Sequence, residues 1–201
     1  MIFNQLNDSG VVLVDKVPCW IDEGLPYEKA KRYVTPLLHF FVVQTPVASL
    51  SALSIPLKSN GWDRPWKEPQ KLNKKLKGVS PQLFLYWSAP SQKQMSFCIS
   101  RSSLVNINIQ QDKLIEQAAF YDSQSNQTMS LFYHLRNALA HGRFIVFKRG
   151  GDIWFALEDV CKSRKGDSIY NAQRLTARIL VRHSTLHKWM QLIENGPVEK
   201  D

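Results

Sequence analysis

The sequence predicts a single, mainly α-helical domain spanning residues 1–201, a helical bundle with a β-hairpin and an elaborated N-terminal half. Three observations predict it. Apolar residues recur at helical spacing along 27–44, 125–142 and 168–195. The alternating runs flanking RGGD, RFIVFKRGGDIWFALED, read as a hairpin. At 201 residues and 44% hydrophobic, the chain can bury one sizeable core.

VVLVD, residues 11 to 15, is rich in β-branched side chains between Gly10 and Pro18, and predicts a short strand. Tyr27 to Gln44 predicts a helix, because Val34, Leu37, Leu38, Phe41 and Val42 share one face; Pro36 kinks it or moves its start. VASLSALSIPL, 47 to 57, is a further helical candidate between Pro46 and Pro56. Residues 59–90 have no sustained period and mix Gly, Pro, Trp and Lys, which predicts a basic loop or insertion. QMSFCISR, 94 to 101, reads as a strand, and Gln110 to Tyr121 as a helix with Leu114, Ile115 and Ala118 on one side.

A polar cap at Ser125 to Thr128 opens the next helix, in which Leu131, Leu135 and Leu139 face a core and Gly142 marks the left-handed residue past its end. The hairpin follows. The longest helix then spans 168–195, with Ala172, Leu175, Ile179, Leu186, Trp189, Met190 and Ile193 along one stripe, and Gly196 and Pro197 ending it.

The helix around LRNALAHGRF carries the candidate chemistry. Asn137 and His141 are four residues apart on one face, Arg136 points roughly 140° from His141, and His134 lies two turns earlier on the side of His141. One reading is plain: a surface charge, a local hydrogen-bonder and an imidazole at the negative end of a helix. The other is a cation, an amide and a titratable imidazole converging near the helix C-terminus.

RNALAH, followed by Gly142, a strand pair and a closing helix, resembles the motif-bearing region of the HEPN superfamily, in particular its plasmid-encoded bacterial branch, over roughly residues 105 to 195. The resemblance implies an up-and-down helical bundle, a homodimer that brings two motifs together, and a metal-independent endoribonuclease of toxin–antitoxin or defence systems, with an antitoxin protein as a partner. It implies Arg136 as stabiliser of the phosphorane charge, His141 as general acid or base, and Asn137 as the orienting group, with His134 as an auxiliary. The chemistry suits those residue types: RNA brings its own 2′-OH nucleophile, histidine titrates near neutrality, and the arginine fork binds phosphate oxygens in pairs. The same resemblance admits a non-catalytic module that binds RNA, nucleotide or a protein.

The net charge of +9 favours polyanions such as RNA. From Lys58 to Arg101 nine Lys/Arg face two acids, and Lys67, Lys71, Lys74, Lys75 and Lys77 are the candidate RNA contacts, interleaved with Trp62 and Trp66. Arg174, Arg178 and Arg182 extend a basic surface on the last helix or form its wet side, and His183 with His187 lacks a third metal ligand. No cofactor is expected. Cys19, Cys98 and Cys161 are far apart, odd in number and show no CxxC spacing, which suggests neither a disulfide framework nor a zinc knuckle and makes a reducing cytoplasm the simplest compartment. MIFNQLNDSG lacks the form of a signal peptide and no apolar run approaches about 18 residues, so no membrane is expected. No GxxxxGK[ST], GxGxxG or GxSxG occurs, leaving NTPase, dehydrogenase and hydrolase readings without a signature.

Overall fold

The computed structural model describes residues 5–6, 12–14, 20–21, 23–80, 84–102, 104–109, 113–124, 126–162 and 173–197. In chain order the elements are β1 (Gln5–Leu6), β2 (Val12–Val14), α1 (Tyr27–Leu37), a π-helical segment Leu38–Val43, α2 (Leu72–Gly78), β3 (Leu85–Ala89), α3 (Met95–Arg101), β4 (Gln117–Tyr121), α4 (Gln127–Ala140), β5 (Phe144–Arg149), β6 (Asp152–Lys162), β7 (Gln173–Arg182) and α5 (His183–Glu194). The fold is mixed α/β, and the helical bundle expected from the sequence is not what the chain adopts. A seven-stranded sheet forms the middle layer.

Strand β7 is its centre. One edge pairs with β6 along its length, and β6 with β5; the other edge pairs with β4 at 177–180 and with β2 at 173–174. All these pairs are antiparallel, and β3 adds to β4 in parallel. On one face α1, the π-helical segment, α4 and α5 cover Phe120, Phe155, Leu157, Ala177, Ile179 and Val181. On the other, α3 and residues 104–109 pack with Trp20 over Ala119, Trp154, Ala156 and Leu180.

Being buried on both faces is what disguised the strands. QAAFY in β4 and LTARILV in β7 have apolar side chains on either side of the sheet, so they lack the alternation that marks a half-buried strand and mimic a helical stripe. The expected helix at Gln110 to Tyr121 is therefore β4 from Gln117; residues 110–112 lie outside the described residues. The expected last helix is β7 followed by the shorter α5, with 168–172 again outside the described residues. QMSFCISR is the reverse case: Met95, Cys98 and Ile99 fall on one buried helical side, as α3. Residues 47–56 form turns and irregular chain, not a helix, a 3-10 helix follows at Leu57–Asn60, and 59–90 hold α2 and β3 where a loop was expected.

Where local signals were strong, the elements match. The Asn126 side chain accepts from Met129 N–H at 2.9 Å and starts α4. Gly142 takes φ +66° just past its end, while Arg143 N–H reaches back to the Ala138 carbonyl at 2.8 Å. Gly150 and Gly151, both at positive φ, close the β5–β6 hairpin. Among the described residues no helix is long and apolar enough to cross a membrane.

Candidate functional site

The sides of α4 have different fates. His134, expected as an auxiliary, is buried against the sheet: its Nδ1 lies 2.6 Å from Asp159 Oδ2 on β6, and its Nε2 lies 2.7 Å from the Tyr121 carbonyl at the end of β4. A carbonyl only accepts, so Nε2 carries its hydrogen and Nδ1 is the nitrogen turned to the carboxylate. Ser123 Oγ, 3.4 Å from Nε2, is a loose third neighbour. Asn137, one turn on, directs Nδ2 towards Asp159 Oδ2 at 3.4 Å and accepts from Arg136 Nη1 at 3.1 Å through Oδ1. Arg136 thereby fixes which way the Asn137 amide faces.

Arg136 is itself held on the far side. Its Nη2 donates to the Leu50 carbonyl at 3.1 Å, anchoring the 47–56 turns to α4. His141, the C-cap residue, is exposed. Of the four candidates, Asn137 and His134 therefore converge with Asp159, whereas Arg136 acts on that group through Asn137 and His141 stands apart at the helix end.

The convergent group opens into a cleft of about 450 Å³ lined by Tyr121, Ser123, Tyr133, Asn137, Asp159 and Thr176, with His134, Val160, Cys161 and Arg174 completing it. That volume suits a small organic ligand. Its floor carries an irregularity of the sheet. Asp159 faces Ala177 and Val160 faces Leu175, so Thr176 is the extra residue of a β-bulge. Thr176 is 5% exposed, and its hydroxyl bonds to no described residue.

The sequence reading did not single out Tyr121, Ser123, Tyr133, Asp159 or Thr176. One signal was available: Glu158 and Asp159 interrupt an apolar strand, IWFALEDV, and buried carboxylates need partners. Their partners come from elsewhere in the chain. Glu158, on the opposite face, accepts from Arg143 and from Arg178 Nε at 3.0 Å. Arg178 is fully buried beneath Trp20, so the expected exposed arginine row of a terminal helix is corrected: Arg174, Arg178 and Arg182 belong to β7.

The basic segment folds against α5. Trp62 is buried and donates to the Ile193 carbonyl at 3.0 Å, Trp189 donates to the Leu76 carbonyl at 2.9 Å, and Leu72 and Leu76 are buried. The other side of α2 is basic: Lys74 and Lys77 are exposed, as is Lys67 just before it. Three of the five candidate lysines also have local partners, Lys71 with Glu68, Lys75 over the Trp62 ring at 5.5 Å and Lys77 over Tyr86 at 4.5 Å.

On α5, His183 and His187 stack with ring centroids 6.2 Å apart. Among the described residues no three His, Cys, Asp or Glu side chains are placed to hold a metal. Compared with known proteins, the chain matches no family model, no curated protein and no solved structure.

Proposed function

We propose that this chain binds RNA. The observation that carries the reading is the two-sided character of α2: its leucines are docked into the core while Lys74 and Lys77, with Lys67 beside the helix, face solvent on a chain of net charge +9. Lysines on a rigid element neutralise phosphates without reading sequence, and their binding is opposed by salt through counterion release. Half-exposed Trp66, 37% accessible, offers a ring on which a base can stack.

The test is fluorescence anisotropy with labelled single-stranded RNA over a salt series. Affinity is expected to fall with salt at a slope of about −0.7 per phosphate neutralised, and Lys67→Glu, Lys74→Glu, Lys77→Glu combined to lower it by about tenfold or more with a shallower slope. An affinity indifferent to salt and to the triple variant would overturn the reading.

A second reading, metal-independent cleavage of RNA by Arg136, Asn137 and His141 in a homodimer, draws on His141 being exposed at the end of the helix that holds Arg136. Incubation with RNA in EDTA tests it. Ends bearing 2′,3′-cyclic phosphate, made by the wild type and lost in His141→Ala, would move the conclusion from binding to cleavage.

A further inference from the structure

Asp159 offers Oδ2 to His134 and Asn137, and its Oδ1 receives no hydrogen bond from any described residue. The Asn137 amide uses one of its two N–H groups, weakly, on Asp159. The Thr176 hydroxyl, buried at the bulge in the same wall, has no partner among the described residues. A buried hydroxyl left unpaired costs stability in the free chain, and a bulge beside a cleft is a recurrent way of re-aiming a side chain. One acceptor and one donor thus go unused at the cleft, and the Thr176 hydroxyl lies unpaired in the wall behind it, within reach of a ligand once its side chain turns.

Free phosphate fits this lining badly, because a carboxylate repels an anion. A nucleobase fits it well. Bases present N–H donors and ring or carbonyl acceptors along one edge and a flat face to an aromatic ring, and single-stranded RNA is read in this way. Tyr121 and Tyr133, both half-buried, line the cleft, and Arg174 adds a guanidinium suited to a phosphate oxygen.

We propose that this cleft is a nucleotide pocket for a base that carries an exocyclic amine. Asp159 Oδ1 accepts from the amine, the Thr176 hydroxyl and the second N–H of Asn137 donate to the neighbouring acceptors, a tyrosine ring lies against the base, and Arg174 holds the phosphate. Arg136 is a positioning residue here, setting the Asn137 amide with Nδ2 towards the carboxylate. The choice of a nucleotide over other amine-bearing ligands rests on the RNA reading above.

The experiment is calorimetric titration of the full chain with AMP, CMP, GMP, UMP and inorganic phosphate, alongside RNA anisotropy, for wild type, Thr176→Val and Asp159→Asn. Amine-bearing nucleotides are expected to bind at least about tenfold more tightly than UMP, a difference of about one hydrogen bond to a charged group, and phosphate not to bind. Thr176→Val is expected to lose about tenfold in nucleotide affinity while its thermal midpoint rises, because the unpaired hydroxyl is gone. Asp159→Asn, in which His134 keeps a hydrogen-bonding partner, is expected to erase the preference over UMP.

No nucleotide binding, equal binding of all four, or an unchanged Thr176→Val each overturns the pocket. If RNA still binds with salt dependence in those cases, only the pocket fails. If nucleotides bind as expected and RNA does not, the pocket stands and the RNA reading fails.

Discussion

Glu158 and Asp159 are consecutive carboxylates on one strand, both almost wholly buried, at 1% and 4% exposure, and they have opposite settings. Strand alternation turns Glu158 to the face under α3 and Asp159 to the face under α4. Glu158 is closed on both oxygens by Arg143 and Arg178. Asp159 has one oxygen engaged by His134 and Asn137 and the other left to a cleft. A buried charge that holds a fold and one that waits for a ligand are told apart by whether their hydrogen-bonding capacity is used up, since burial alone is the same for both.

Glu158→Ala puts the contrast to its most severe test. It leaves two buried arginines, Arg143 and Arg178, without their carboxylate, and a loss of about 3–5 kcal/mol in denaturant unfolding is expected. Asp159→Asn should cost less, about 1.5–3 kcal/mol, since an amide can still hydrogen-bond His134 Nδ1, through its oxygen or its N–H. If Asp159→Asn is the more destabilising of the two, the cleft carboxylate is a structural pivot and the contrast collapses.

The sides of α4 extend the comparison at smaller scale. Arg136→Ala removes hydrogen bonds to Asn137 and Leu50 and should cost about 1–2 kcal/mol, read as a shift in denaturant midpoint. His141→Ala, at an exposed helix end, should stay within about 0.5 kcal/mol. Equal and large losses would mean that His141 has a structural role that its exposed position does not suggest.

How much of this was legible in the sequence follows from where the partners lie. The end of α4 was readable because its signals are local: Asn126 bonds three residues ahead, and Gly142 needs the left-handed conformation within one turn of the last leucine. The hairpin around Gly150 and Gly151 was local too. Strands β4 and β7 were not, because pairing decides them: Ala118 faces Ile179 and Ala119 faces Arg178, about 60 residues away along the chain. The candidate site fell in between. His134 and Asn137 were visible as polar residues on a leucine-rich helix, but Asp159 becomes their neighbour only when β6 folds beneath α4, and Thr176 enters only through a bulge that no local pattern announces. Spacing along α4 therefore put His141 with Asn137, whereas the sheet selected His134.

The smallest expected effect concerns an imidazole that no carboxylate of the described residues hydrogen-bonds. His134 has an acceptor at each nitrogen, whereas His183 sits half-buried between the Tyr33 ring at 5.2 Å and Phe155 at 6.2 Å, with His187 stacked on it and the Arg32 guanidinium over Tyr33. Burial, and then the charge of His187, holds the His183 pKa below the ordinary histidine value. The sign follows from which state binds the proton. Below about pH 6.5 the unfolded chain protonates this imidazole while the folded chain resists, so its contribution is fully present above that value and is lost as pH falls towards the folded pKa. Denaturant midpoints across this interval should therefore decline on acidification, and decline less steeply in His183→Phe, which keeps a ring between Tyr33 and Phe155 without a titrating nitrogen. An unchanged slope in that variant would assign the acid sensitivity to other groups, and the contrast between the two imidazoles would then rest on hydrogen bonding alone.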